Sequence, residues 1–184
     1  MTAIAVALSG RIGSGKTSVG TALARELGWP RVGFGDHVRS EAARRGLDPA
    51  SREVMQELGE DLLRRDLDGF CRSVLAQADR AADGGLVVDG VRHVAVLDAL
   101  RRLLQPIPVR LIYLAAGDEV RRLRLAIAGR PHDGTLAEVE RHSTEADVAS
   151  ALPVLADAVL DANRGVEAVL ADALAHVRAG RCPT

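Results

Sequence analysis

Gly10-Arg11-Ile12-Gly13-Ser14-Gly15-Lys16-Thr17 matches G-x-x-x-x-G-K-[ST], a loop that wraps nucleotide phosphates. Before it stands Ala3-Ile4-Ala5-Val6-Ala7-Leu8, an apolar run of strand length, and after it Val19, Leu23 and Leu27 recur at helical spacing. The loop therefore has the strand–turn–helix setting that its chemistry requires. Gly10, Gly13 and Gly15 let successive N–H groups turn inward, and the helix starting near Gly15 adds its positive dipole end. The phosphate cradle is expected to run over Gly10, Arg11, Ile12, Gly13, Ser14, Gly15, Lys16, Thr17 and Ser18. Lys16 would reach the β- and γ-phosphates, and the Thr17 hydroxyl would hold Mg²⁺. Lys16 is the chain's only lysine, every other cationic side chain of that kind being Arg. A P-loop needs a compact point charge there, which a planar guanidinium does not replace.

The 184 residues suit one domain with a full-sized core, residues 1–184. Hydrophobic residues make up 47% but aromatics only 2%, so the core is expected to be Leu, Val and Ala, with little base stacking on rings. A net charge of −1 without a separate basic run argues against a general nucleic-acid surface. Cys71 and Cys182 are far apart and lack metal-ligand spacing, which points to reduced thiols in a cytoplasmic protein. No signal peptide or run of membrane-spanning length is expected.

The first helix is expected to stop at Gly28 before Pro30, and Arg31–Phe34 to form a second strand. A helix to about Arg45 follows, broken by Gly46. Another starts at Ser51, a candidate cap, with Val54, Met55, Leu58 and Leu62 inward. Phe70 to Ala81 reads as a helix, Leu86-Val87-Val88 as a strand ending in Asp89-Gly90-Val91-Arg92, and Leu97, Leu100 and Leu104 mark a helix stopping before Pro106. Val109–Leu114 is the clearest strand. Asp118–Ala128 should be helical with Val120, Leu123 and Ile127 inward, followed by a turn-rich break from Gly129 to Gly134 and a helix from Leu136 to about Ala151. Ala158–Asp161 closes the strands, Val166–Val177 the helices, and residues 181–184 should fray. Alternating strands and helices predict a mostly parallel sheet covered on both faces, with ligands beyond the C-terminal strand ends.

Asp89 ends an apolar strand, where a carboxylate can hold a Mg²⁺ water. Gly90 stands where ATPase motors place a water-activating Glu, which disfavours a hydrolysing motor. Phosphoryl transfer between two anions needs positive charge around the transferred group, and arginine forks bind phosphate oxygens in pairs. Arg39 and Arg92 follow different strands yet should face one crevice. Arg121 and Arg124 lie one turn apart, and Arg130 sits in a Gly/Pro segment suited to a closing lid. Asp36 is open to two roles, general base or helix cap.

Taken in order, the P-loop, Gly35-Asp36-His37-Val38-Arg39, Asp89-Gly90-Val91-Arg92 and the Arg121/Arg124/Arg130 set resemble the nucleoside-monophosphate-kinase-like P-loop family. That family includes adenylate, dephospho-CoA and deoxynucleoside monophosphate kinases. The resemblance covers roughly Ile4 to Asp161. It implies a three-layer α/β/α P-loop NTPase fold with a five-stranded parallel sheet in the order 2-3-1-4-5. It also implies a helical acceptor-binding segment at about 36–68 and a short lid at about 129–145. By it, Arg39 and Arg92 bind the acceptor, Arg121, Arg124 and Arg130 act from the lid side, and ATP and Mg²⁺ are the cofactors. The segment Ser51–Gly59 is similar to the acceptor-side helix of phage-type deoxynucleoside monophosphate kinases, which puts Arg52 and Gln56 at the acceptor. The segment Gly35–Gly46 is closer to a kinase group related to dephospho-CoA kinases.

Three functions compete. The first is ATP-dependent transfer to a nucleoside monophosphate or (deoxy)nucleotide-like acceptor, already ionised and needing no strong base. The second is a small-molecule hydroxyl kinase, such as one for dephospho-CoA or a modified nucleoside, with Asp36 as base. The third is an NTP-binding regulatory module, which has no need of acceptor-side arginines. The acceptor's base is expected to meet Arg planes and Leu and Val walls. Neither nucleic acid nor membrane is expected as a partner, and monomer and homodimer both remain open.

Overall fold

In β1 the side chains alternate strictly between two hydrophobic clusters: Ala5 and Ala7 enter one, Val6 and Leu8 the other. A strand buried on both faces in this way is the centre of a layered α/β structure. In a computed structural model of the chain, which describes residues 3–78, 85–129 and 147–179, β1 (Ala5–Ser9) lies between β3 (Leu86–Asp89) and β4 (Val109–Ala115). The edges are β2 (Arg31–Gly33) and β5 (Ala158–Asp161), every pairing is parallel, and the order is β2-β3-β1-β4-β5. This is the sheet order expected above.

One face is covered by α1 (Lys16–Leu27) and α8 (Val166–Ala179), through Val19, Leu23, Val169, Ala173 and Val177. The other carries α2 (Phe34–Arg44), α3 (Arg52–Arg65), α4 (Leu67–Leu75), α5 (Val94–Leu103) and the short α7 (Ala151–Leu155). Helix α6 (Asp118–Ile127) follows β4 and lies beside the P-loop. Ser51 caps α3 as expected, its hydroxyl accepting from the Val54 amide. Residues 36–68, expected to form a helical acceptor-binding segment, hold most of α2, all of α3 and the start of α4, with a turn between Arg44 and Arg52.

Several expectations need correction. β2 ends at Gly33, so Phe34, Asp36 and Arg39 belong to the first turns of α2 rather than to a strand-end loop. The helix expected from Phe70 starts earlier, at Leu67, because Asp66 caps it by accepting from the Gly69 amide, and it ends at Leu75. In α6 the inward face is not Val120, Leu123 and Ile127: Leu123 is 60% and Ile127 78% exposed, while Arg121 and Leu125 are buried. The expected lid beyond Gly129, the expected helix from Leu136 to about Ala151 as far as residue 146, Arg130 and the terminal residues 181–184 lie outside the described residues.

Candidate functional site

The P-loop joins β1 to α1 through Gly10, Gly13 and Gly15, all at positive φ (145°, 78° and 93°). Close approach as well as conformation requires two of them. A Cβ on Gly10 would stand 2.6 Å from the Leu114 carbonyl oxygen, and one on Gly13 2.9 Å from that of Arg121. Ser14 is buried with its hydroxyl unpartnered, and Thr17 and Ser18 are exposed on the first turn of α1. Lys16 Nζ donates to the carbonyl oxygens of Gly10 (2.5 Å) and Arg11 (3.0 Å). Burial pushes the Lys16 ammonium down to about 7, helped by Arg92 and Arg121 and opposed by Asp89. An anion in the loop would favour the charged form. The loop thus fits a polyphosphate on its own stereochemistry.

Asp89 ends β3 at 5% exposure. Its Oδ2 accepts from Arg31 at 3.0 Å, and its Oδ1 is buried without a partner. A buried carboxylate oxygen so placed fits an outer hydrogen bond to a magnesium-bound water. Among the described residues no group of three or more His, Cys, Asp or Glu could hold a metal by itself. The candidate donors are Thr17, Asp89 and the nucleotide's own oxygens, and an ion held there would neutralise charge on the transferred group.

Arg39, Arg52, Gln56 and Arg92 line one cavity of about 840 Å³ that reaches the P-loop at Ile12. These are the acceptor-side residues expected from the sequence, and the structure brings them together. The lining has three arginines and no carboxylate among the described residues. Burial lowers the Arg92 guanidinium from its ordinary value, and the charge of Arg52 acts in the same direction. Two cations held this close in a desolvated wall favour an anion between them. Gln56 Nε2 is buried without a hydrogen-bond partner.

Asp36 does not cap α2, whose N-cap is Gly33 with no side-chain bond. Instead both its oxygens accept from guanidinium groups, Oδ2 from Arg31 (2.7 Å) and Oδ1 from Arg39 (3.0 Å). Arg121 and Arg124 do not line this cavity. Arg121, fully buried, donates to the Ile12 carbonyl oxygen (3.2 Å) and to Asp118 (2.8 Å). Arg124 donates to the carbonyls of Ser14 (3.1 Å) and Arg164 (2.9 Å). Both donate to P-loop carbonyls, so Arg39, Arg52 and Arg92 line the cavity while Arg121 and Arg124 brace the loop. Sequence reasoning missed Arg31 and both phenylalanines of the chain, Phe34 and Phe70, which line the cavity edge to face with ring centroids 5.3 Å apart. The walls are therefore not Leu and Val alone.

Sheet order, glycine loop and a cationic cavity across the strand ends define the class: a P-loop kinase fold of the nucleoside-monophosphate-kinase-like kind. The chain belongs to the AAA domain family, whose profile matches residues 6–145, and to the UPF0200 family. A UPF0200 protein of Methanothrix thermoacetophila is 35% identical over 172 residues, covering 83% of this chain and 87% of that one. A cytidylate kinase of Pyrobaculum calidifontis is 32% identical over 138 residues, covering 74% and 67%. The fold is similar to that of the shikimate kinase of Acinetobacter baumannii in complex with shikimate (TM-score 0.66, 16% identity, 99% and 97% covered). It is also similar to a gluconokinase of Sinorhizobium meliloti (TM-score 0.60, 16% identity, 96% and 92% covered). No described helix is long and apolar enough to cross a membrane.

Proposed function

We propose that the protein is an ATP- and Mg²⁺-dependent phosphotransferase that moves the γ-phosphoryl group to the phosphate of a nucleoside monophosphate or nucleotide-like acceptor. The observation that carries this reading is the cavity beside Ile12, whose described lining holds Arg39, Arg52 and Arg92 with no acid. Such a wall selects an anionic acceptor and screens its charge from the incoming phosphoryl group. The similarity to a protein named cytidylate kinase supports the same class.

In this reading Lys16 and the loop amides hold the donor's phosphates, and Thr17 and Asp89 the ion. Arg39, Arg52 and Arg92 orient the acceptor phosphate. Arg121 and Arg124 keep the loop in shape, and Arg130 acts from the lid side. Phe34 and Phe70 offer ring surface to the acceptor's base, and the Gln56 amide offers its hydrogen-bonding edge. Asp36 supports the hydroxyl-kinase alternative least well, because both oxygens that would take a proton are engaged by Arg31 and Arg39.

The test is an ADP-release assay at saturating Mg²⁺, with nucleoside monophosphates, dephospho-CoA and shikimate as acceptors. Against the best monophosphate, Arg39→Ala is expected to lose roughly 10²–10³-fold in kcat, the scale of one charge-stabilising donor. Asp36→Asn is expected to stay within about tenfold of wild type, well short of the loss of a general base. The reverse order, with a hydroxyl acceptor preferred, would favour the alternative.

A further inference from the structure

Arg31, the first residue of edge strand β2, makes ion pairs with two separate parts of the site. Its Nη1 donates to Asp89 Oδ2 at 3.0 Å and its Nη2 to Asp36 Oδ2 at 2.7 Å. One guanidinium thus spans a carboxylate near the P-loop lysine and a carboxylate on the acceptor-side helix. Arg39 extends the chain by binding the other oxygen of Asp36. Arg31 and Asp89 are largely shielded, with side chains 21% and 7% exposed, so solvent screens this pair far less than a surface pair.

Gly33 bears on the bridge independently. A Cβ there would stand 2.6 Å from Asp36 Oδ2 and 3.2 Å from Arg31 Nη1. Its φ of −135° and ψ of 131° are ordinary extended values, open to any residue. The backbone does not demand glycine at that point, but a methyl group there would displace the Asp36 carboxylate from its present place in the bridge.

We propose that Arg31 is a positioning residue, which orients Asp89 toward the donor-site metal and ties that orientation to Asp36 beside the acceptor. The inference rests on the donor-site reading given above. With Oδ2 held by the planar fork, Oδ1 is the oxygen left to face a metal-bound water. A partner that orients a metal-site carboxylate acts as outer-shell groups do, and losing one costs about 10–100-fold in metal affinity. Mere charge balance makes the opposite prediction, since removing a cation beside Asp89 would strengthen cation binding.

The experiment measures Mn²⁺ binding to the protein–ADP complex by electron paramagnetic resonance, in wild type and three variants. Arg31→Lys keeps the charge and loses the fork. Arg31→Ala loses both, and Gly33→Ala keeps both and crowds the bridge. Circular dichroism checks that each variant folds, and Arg31→Lys decides if another variant does not. The expected result is a drop in Mn²⁺ affinity of about tenfold in every folded variant. Wild-type affinity in Arg31→Lys, tighter binding in Arg31→Ala, or no Mn²⁺ uptake by the wild-type complex overturns the proposal. The readout uses no acceptor, so failure to find a phosphorylated product would count against the proposed function and not against Arg31.

Discussion

Lys16 concentrates the residue-scale account, because its stem is buried and its ammonium sits among loop carbonyls. Lys16→Ala is expected to keep the wild-type circular dichroism spectrum and to lose roughly 10²–10³-fold or more in kcat, a combination that only a charge role predicts. Full turnover in that variant would remove the basis of the site. Cys71 gives a pH prediction. Burial, and next the charge of Asp68, push its thiol from 9.0 up to about 11. A folded-state value above the unfolded one means that the group favours the fold below pH 9 and that this contribution fades as pH rises through 11. Native Cys71 should therefore resist iodoacetamide at pH 8 and react on unfolding, which peptide mass mapping reads directly. At this scale the P-loop was legible because its geometry is local: glycines, one lysine and one hydroxyl at fixed spacing. Arg31, Phe34 and Phe70 were not, because their roles come from contacts made across the fold, Arg31 with Asp89 58 positions away.

At the scale of elements, α6 shows how a buried charge can invert a periodicity argument. Val120, Leu123 and Ile127 share one side in sequence, yet the helix turns Arg121 and Leu125 inward. The reason is the partner: α6 packs against a loop rich in backbone carbonyls, which cations satisfy and leucines do not. Leu125→Ala should cost about 2–5 kcal/mol of stability, while Leu123→Ala should fall within about 0.5 kcal/mol of wild type. Urea unfolding of the two variants checks this, and equal losses would contradict the assigned face. Helix starts with side-chain caps are the other lesson. Ser51 was readable from its place before an apolar run, whereas Asp66 was passed over in a segment crowded with charges.

For the whole molecule, alternating strands and helices made the layered α/β class legible, and the ordered motifs carried the sheet order, which the structure bears out. Short parallel strands of nearly unbroken apolar character leave few alternatives once a P-loop follows the first of them. From the residues alone the cavity was legible only as a grouping of arginines at strand ends, which holds for Arg39 and Arg92 but not for Arg121 and Arg124, and Arg52 came from the family resemblance. Which cations face a ligand and which face the backbone depends on the rotation of each helix about its axis, and sequence spacing does not set that rotation. The central claim is transfer between two phosphates. Phosphorus NMR of the products from ATP, Mg²⁺ and a panel of nucleoside monophosphates tests it most directly. The account predicts a nucleoside diphosphate carrying a new phosphoanhydride. A phosphate ester on a hydroxyl, or inorganic phosphate alone with every acceptor, would contradict it.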